Sequence, residues 1–398
     1  MPLILFDGPL RDHLLPLTFT RPGPSLRVGI LTIAEKWEKD LEMGSSTHTA
    51  GYLQAKYPCH IHDDNLLVNG LLLPDRELVM RIMDLGQNQA LVKEGVLLAV
   101  RTGRDEAEHF KADSWHKKGS EFEGPVSLVD RPWKIFSLNG QEIEADFQRL
   151  TGNRESMELP ASVRVNQREN VFVEPGFRGE YFSLNTSPGP VYLGKDSEIM
   201  EGSVIRGPFA LCEGAVMKMG TKIYGPTTIG PFCKVGGEIN NSVLQANSNK
   251  SHEGFLGNSV LGEWCNLGAD TNNSNLKNNY GEVKVWNYAS RGHVGTGRQF
   301  CGLIMGDHSK CGINTMFNTG TVVGVSANIF GPGFPPTFIP SYSWGGFEGF
   351  TEYKLDKALE TASLVMERRK LELTPEERAI LEHVFELTRE FRDSLLDQ

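Results

Sequence analysis

A chain of 398 residues, 39% hydrophobic and 23% charged, describes a soluble globular protein too long for one ordinary core. Its formal net charge of −10 argues against duplex nucleic acid as a partner, because that polyanion demands basic surface. The apolar run at residues 3–6 is too short for a signal segment and no 18-residue apolar stretch follows, so a cytoplasmic protein without membrane contact is expected. Six cysteines (59, 212, 233, 265, 301, 311) form no CxxC pair and read as reduced thiols.

The runs LILF (3–6), NLLVNGLLL (65–73) and GVLLAV (95–100) predict buried strands, alternating with helical stretches such as DRELVMRIMDL (75–85). That alternation predicts a Rossmann-like α/β domain over 1–185, built on a largely parallel sheet. CHIHDDN (59–65) gathers Cys59, His60, His62, Asp63 and Asp64. No second ligand cluster follows at a metal-site spacing, so it reads as a solvated turn and no metal is expected there. SLNTSPGP (183–190) reads as a linker or first turn.

From there a repeat takes over. Leu193, Ile199, Ile205, Leu211, Met217, Ile223, Ile229 and Val235 fall every six residues. Phe255, Leu261 and Leu267 resume the period after one interruption, and Met305, Cys311, Phe317, Val323 and Ile329 after a second. A period of six suits a hexapeptide β-helix, with the periodic aliphatic residue pointing into a narrow prism. About five to seven coils are expected over 190–345. Helices follow over 350–398, where TPEE (374–377) offers an N-cap threonine, a proline at the first helical position and Glu377 for a capping box. Ile380, Leu381, Val384, Phe385 and Leu387 give the next helix its apolar stripe.

Chemistry belongs where the repeat breaks. His252 stands at the first break, and histidine is the side chain suited to proton removal near neutrality. The second break (272–298) is rich in amides and carries Lys277, Lys284 and Arg291, so a groove between loop and prism would surround a polar substrate. GHVGTGR (292–298) has phosphate-loop glycines without a strand–loop–helix context and reads as a loop between coils.

The stretch GEINNSVLQANSNKSHEGFLGNSVLGEWCNLGADTNNSNLKNNYGEVKV (237–285), with TGRQFCGLIMGDHSKCGIN (296–314), resembles the acetyltransferase domain of bifunctional sugar-1-phosphate nucleotidylyltransferase/amino-sugar-1-phosphate acetyltransferases. This is the GlmU-like family, and the archaeal forms look closer still than the bacterial one. The resemblance covers roughly 190–330 and implies a left-handed parallel β-helix and a homotrimer with shared sites. It implies His252 as general base for transfer of acetyl from acetyl-CoA to an amino sugar phosphate, with Glu238 orienting it. Asn266, Asn275 and Lys284 fall on substrate-binding positions and Ala269 and Cys311 on positions near the cofactor, while Arg298, at the end of the GHVGTGR loop, is a candidate contact for a CoA phosphate. Two residues depart from the pattern: Asn240 replaces a lysine and Phe255 a tyrosine.

LRDHLLPLTFTRPGPSLRVGI (10–30) resembles the start of nucleotidylyltransferases, through Pro16, Leu17, Thr18, Thr20, Arg21, Pro22 and Pro24. The resemblance makes Arg11, Arg21 and Arg27 candidates for nucleotide phosphates, although Arg11 comes two residues early. The family's catalytic lysine is Gly23 here, and the aspartate that binds Mg²⁺ is Leu71. Leucine cannot ligate a hard cation, so Mg²⁺ is expected only if Asp63, Asp64 or Asp75 substitutes. Three readings follow: an acetyl-CoA-dependent N-acetyltransferase, a sugar-1-phosphate nucleotidylyltransferase with the β-helix for assembly, or a non-catalytic trimeric nucleotide-sugar-binding protein.

Overall fold

The computed structural model describes residues 2–115 and 117–396. Residues 1–14, 20–26 and 31–131 form one compact unit, and 15–19, 27–30 and 132–398 a second.

The first unit is built on a six-stranded sheet in the order Ser45–His48, Leu3–Phe6, Asp64–Asn69, Val96–Gly103, Gln89–Lys93, Ser120–Glu121. The first three strands run parallel, but Val96–Gly103 is antiparallel to both of its neighbours. The sheet is therefore mixed, not largely parallel. Glu94 and Gly95 both take positive φ (49° and 78°), as a two-residue hairpin turn requires, and they reverse the chain where a crossover was expected. Helix Ile33–Leu41 begins at a full capping box between Thr32 and Glu35. Ile4, Phe6, Leu67, Val100 and Phe110 pack one face of the sheet.

The second unit is a parallel β-solenoid spanning 164–345, whose interior columns follow the hexad phase. On the first face Leu193, Leu211, Ile229, Leu244, Leu261, Met305, Val323 and Ile339 stack in register. On the third, Val165, Leu184, Ile205, Ile223, Ile239 and Leu256 do the same. Nine strands of the described residues stack on the first face, more than five to seven coils provide. One of the nine, Val171–Val173, lies upstream of 190 in coils that start at Arg164, where Val165, Val171 and Val173 face inward without the glycine rhythm, and another, Val243–Ala246, lies where the repeat had seemed to break.

The first apparent break in the repeat is not one. Ile239, Leu244 and Lys250 fill the three inward positions of a shorter coil, and Leu256, 1% exposed, holds the position expected for Phe255. His252 thus sits on an ordinary corner, between the second-face strand Asn249–Lys250 and the third-face strand Phe255–Gly257. The second break is a true insertion, an antiparallel hairpin of Lys284–Asn287 and Gly292–Gly295.

Helix Pro132–Thr151 belongs to the solenoid's unit, although the chain before 185 was expected to form one domain with the sheet. Asn139 accepts from Gly29 N–H (2.8 Å) and from the Thr228 hydroxyl (3.1 Å), and buried Asp146 accepts from Ile30 N–H (2.8 Å). A Cβ on Gly29 (φ 83°) would stand 2.7 Å from the Glu142 backbone, so only glycine permits this approach.

Three helices close the chain: Leu355–Glu367, Pro375–Leu387 and Arg389–Leu396. The capping box of Thr374 and Glu377 forms, and Ile380, Leu381, Val384 and Phe385 are buried. Leu387 departs from the stripe and is 47% exposed. Among the described residues no helix is long and apolar enough to cross a membrane.

Candidate functional site

In a hexad strand the residue just before the inward one faces out. On the second face that rule yields the column Lys234, Asn249, Asn266, Lys310, Asn328, each paired with the next in register. Successive members stand about 4.8 Å apart, so amides and ammonium groups form one polar ladder. The ladder floors a groove of about 700 Å³, which Ser251, exposed His252, Trp264 and Ala269 also line. Val365, Arg368 and Arg369, at and just beyond the end of helix Leu355–Glu367, form one wall. Arg369 is pinned there, donating to Asn249 Oδ1 (2.9 Å) and to the Phe232 carbonyl.

The groove is electropositive. Lys218, Lys234, Lys310, Arg368 and Arg369 line it, and among the described residues no carboxylate does. Burial, then the charges of Arg369, Lys218 and Arg368, hold the Lys234 ammonium below its usual range. Burial pushes Lys310 down to about 8, and its Nζ donates to the His308 carbonyl (2.8 Å). Like charges held together without counter-charge form a site in want of an anion.

The structure brings together His252, Asn266 and Ala269 in this groove, and leaves the other expected residues elsewhere. Cys311 is 5% exposed and faces the prism interior beside Thr271, because it occupies an inward hexad position. Its thiol does not reach the groove. Glu238 lies on the third face, in register with Lys222 and Phe255. Among the described residues no hydrogen bond joins it to His252. Asn275 is on that side too, donating to Asn258 Oδ1 at 2.7 Å. Exposed Lys284 and Arg298 belong to the hairpin insertion, Lys277 donates to the Glu282 carbonyl, and Arg291 pairs with Glu390. The groove's cations come instead from the ladder, from Lys218 just after inward Met217, and from the chain after residue 367. Lys234 and Lys310 were missed in the sequence although each directly precedes an inward hexad residue, a signal that could have found them, whereas no local pattern marks Arg368 or Arg369.

In the first unit the expected phosphate ligands are internal. Arg11 is 9% exposed and bonds Asp7 (3.2 Å), Asp12 (3.2 Å) and Tyr52 Oη (2.9 Å). Arg21 is 4% exposed. Arg27, in the second unit, is buried against the solenoid, where its N–H donates to Gln245 Oε1 and its guanidinium to the Ile30 carbonyl. Asp7 accepts from Gly23 N–H (2.8 Å) and Thr49 (2.5 Å) and forms an ion pair with Arg11, while burial pushes its carboxyl up. Leu71 is fully buried, and a Cβ on Gly23 would stand 2.3 Å from its Cδ2. The two replaced family positions therefore fill each other's space.

The three carboxylates expected to substitute are engaged elsewhere. Asp75 caps helix Arg76–Met83, accepting from Glu77 and Leu78 N–H. Asp63 and Asp64 pair with Arg104 and Arg101 where strand Asp64–Asn69 begins, while Leu71 lies beyond its end. These residues do not fit a Mg²⁺ ion at the family position.

Residues 3–155 match the family described as sugar nucleotidyl transferase. No curated protein matches the chain in sequence. Solved structures similar to it include a UDP-N-acetylglucosamine acyltransferase of Arabidopsis, at 17% identity and TM-score 0.25, covering 60% of this chain and 94% of that one. The polySia-specific acetyltransferase NeuO aligns at 14% identity and TM-score 0.26, over 48% of this chain and 85% of that one. LpxA of Bacteroides fragilis 9343, a UDP-N-acetylglucosamine acyltransferase, aligns at 12% identity and TM-score 0.21, over 56% and 96%.

Proposed function

We propose that the chain is an acetyl-CoA-dependent N-acetyltransferase for an amino sugar 1-phosphate or a related nucleotide-sugar precursor, in a GlmU-like protein. The observation that carries this is one exposed imidazole, His252, opening on a cationic groove whose lining contains no carboxylate. The groove suits the phosphates of CoA, with Asn266 and Ala269 along the pantetheine path. The third face, with Glu238 and Asn275, suits the sugar. His252 at the corner between them takes the proton released as the amine nitrogen attacks the thioester carbonyl. The C–S bond breaks, CoA leaves as thiolate, and the proton passes to it. Exposed Val204, Met219 and Tyr224 on the solenoid's outside suit burial in a homotrimer, in which a neighbour's Lys284 and Arg298 would reach the site.

The test is CoA release from acetyl-CoA with a panel of hexosamine 1-phosphates. Turnover by wild type and its loss in His252→Ala support the reading, and no turnover on any acceptor counts against it. The match over 3–155 favours a second reading, nucleotidyl transfer by the N-terminal half. Mg²⁺-dependent pyrophosphate release from a nucleoside triphosphate and a sugar 1-phosphate would establish it, against the fit of Leu71 and Gly23.

A further inference from the structure

The solenoid's second interior column contains a lysine where its neighbours are apolar. Lys250 follows Val235 in register, precedes the coil of Leu267, and is 2% exposed. Its stem fills the space an aliphatic side chain fills elsewhere, and its Nζ donates to the carbonyls of His252 (2.6 Å) and Gly236 (3.0 Å).

Apolar packing does not explain this choice. A buried ammonium is costly, and replacing buried charge with an apolar group of similar volume is commonly neutral or stabilising. The two carbonyls supply the reason. Both lie at corners, where the strand ladder ends, and a buried carbonyl needs a donor. Packing completes the hold on the corner: a Cβ on Gly236 would stand 2.3 Å from the Ser251 carbonyl, and one on Gly254 2.2 Å from the Thr271 carbonyl. Asp270 N–H adds a bond to the Glu253 carbonyl at 3.0 Å.

We propose that Lys250 is a positioning residue: from inside the prism it ties the His252 and Gly236 carbonyls together and so fixes the corner that carries the imidazole. The proposal rests on the reading of His252 as the base. Glu253, Lys222, Asp270 and Cys311 are the titratable groups that face Lys250, and burial pushes its ammonium down to about 8. Charged or neutral, the amine keeps the two N–H donors that the carbonyls need, so the tie holds across the neutral range.

The test compares full-length wild type, Lys250→Met and His252→Ala. Methionine matches the stem and donates nothing. Lys250→Met should still fold but melt somewhat below wild type, because two carbonyls lose their donor, while amide exchange over 251–254 speeds up by about 10-fold and stays unchanged in neighbouring coils. Its kcat for CoA release should fall by about 10-fold or more, with KM for acetyl-CoA within about 2-fold. Wild-type exchange over 251–254 overturns the tie whatever the enzyme does, and fast exchange with unchanged kcat overturns the positioning role. If His252→Ala keeps full turnover, the base reading fails, and the exchange rates separate that failure from failure of the tie. Lys250→Leu serves as a second variant, and loss of folding in both would assign Lys250 to core stability and overturn the proposal.

Discussion

In the N-terminal unit the buried Asp7 and Arg11 are matched: Asp7 accepts from Gly23 and Thr49 and pairs with Arg11, and Arg11 goes on to Asp12 and Tyr52. Along the solenoid's second face Lys218, Lys234, Lys310, Arg368 and Arg369 stand together, with no carboxylate in the lining. The difference teaches how to tell architecture from a binding site. A closed network of donors and acceptors contributes to the fold, whereas a gathering of one sign destabilises the free protein and is relieved when a ligand arrives. The segment that matches a family of transferases is the one whose Asp7 and Arg11 are already matched.

Breaking the contrast at its functional end gives the largest effect. His252→Ala should lower kcat for acetyl transfer by about 10²–10⁴-fold while CoA binding stays within about 2-fold, as steady-state kinetics and calorimetry would show. Equal loss of CoA affinity would move His252 from proton transfer to binding.

Next come the positions where the N-terminal unit departs from the nucleotidylyltransferase pattern it resembles. Gly23→Ala should destabilise by about 1–3 kcal/mol through its clash with Leu71, and Leu71→Ala by about 2–5 kcal/mol through the cavity it leaves. The double variant should cost clearly less than the sum, because the new methyl enters the vacated space. Additive losses in urea unfolding would show that the two positions do not share that space.

The groove's charge should titrate. With its folded-state value near 8, the Lys310 ammonium loses its proton as pH rises through that point, so anion affinity falls from pH 7 to 9. The expected drop is about 3- to 10-fold in CoA affinity, and Lys310→Arg, which stays charged, should flatten the profile. Bound anion raises the Lys310 value, so proton uptake on binding near pH 8 is the calorimetric signature. The smallest effect belongs to the exposed cap: Thr374→Ala should cost about 1 kcal/mol and leave CoA binding unchanged. A loss of binding there would tie the groove's wall to the order of helix Pro375–Leu387.

Much of the fold is legible in the sequence, because one six-residue period fixes both which side chains enter the prism and which face out. Leu193 to Val235 all lie inside as that period requires. The period misleads only where a coil is short: Phe255 keeps the count from Leu261, but Leu256 takes the interior, and Lys250 hides an inward position behind a charge. The mixed sheet was lost because GVLLAV looks the same in a parallel or an antiparallel strand, and only Glu94–Gly95 tells them apart. Of the candidate site, His252, Asn266 and Ala269 meet because they lie on or beside one outward column. Arg368 and Arg369 join them from far along the chain, through packing that no local spacing encodes.

The central claim is that the second-face groove is an anion site serving acetyl transfer. Its most direct test is equilibrium binding of CoA to the full chain at low and high salt, beside the double variant Lys234→Ala/Arg368→Ala. The account predicts saturable binding that weakens about 10-fold between 50 and 200 mM salt and by a similar factor in the variant. Absence of CoA binding at low salt, or binding indifferent to both salt and the two substitutions, would contradict it.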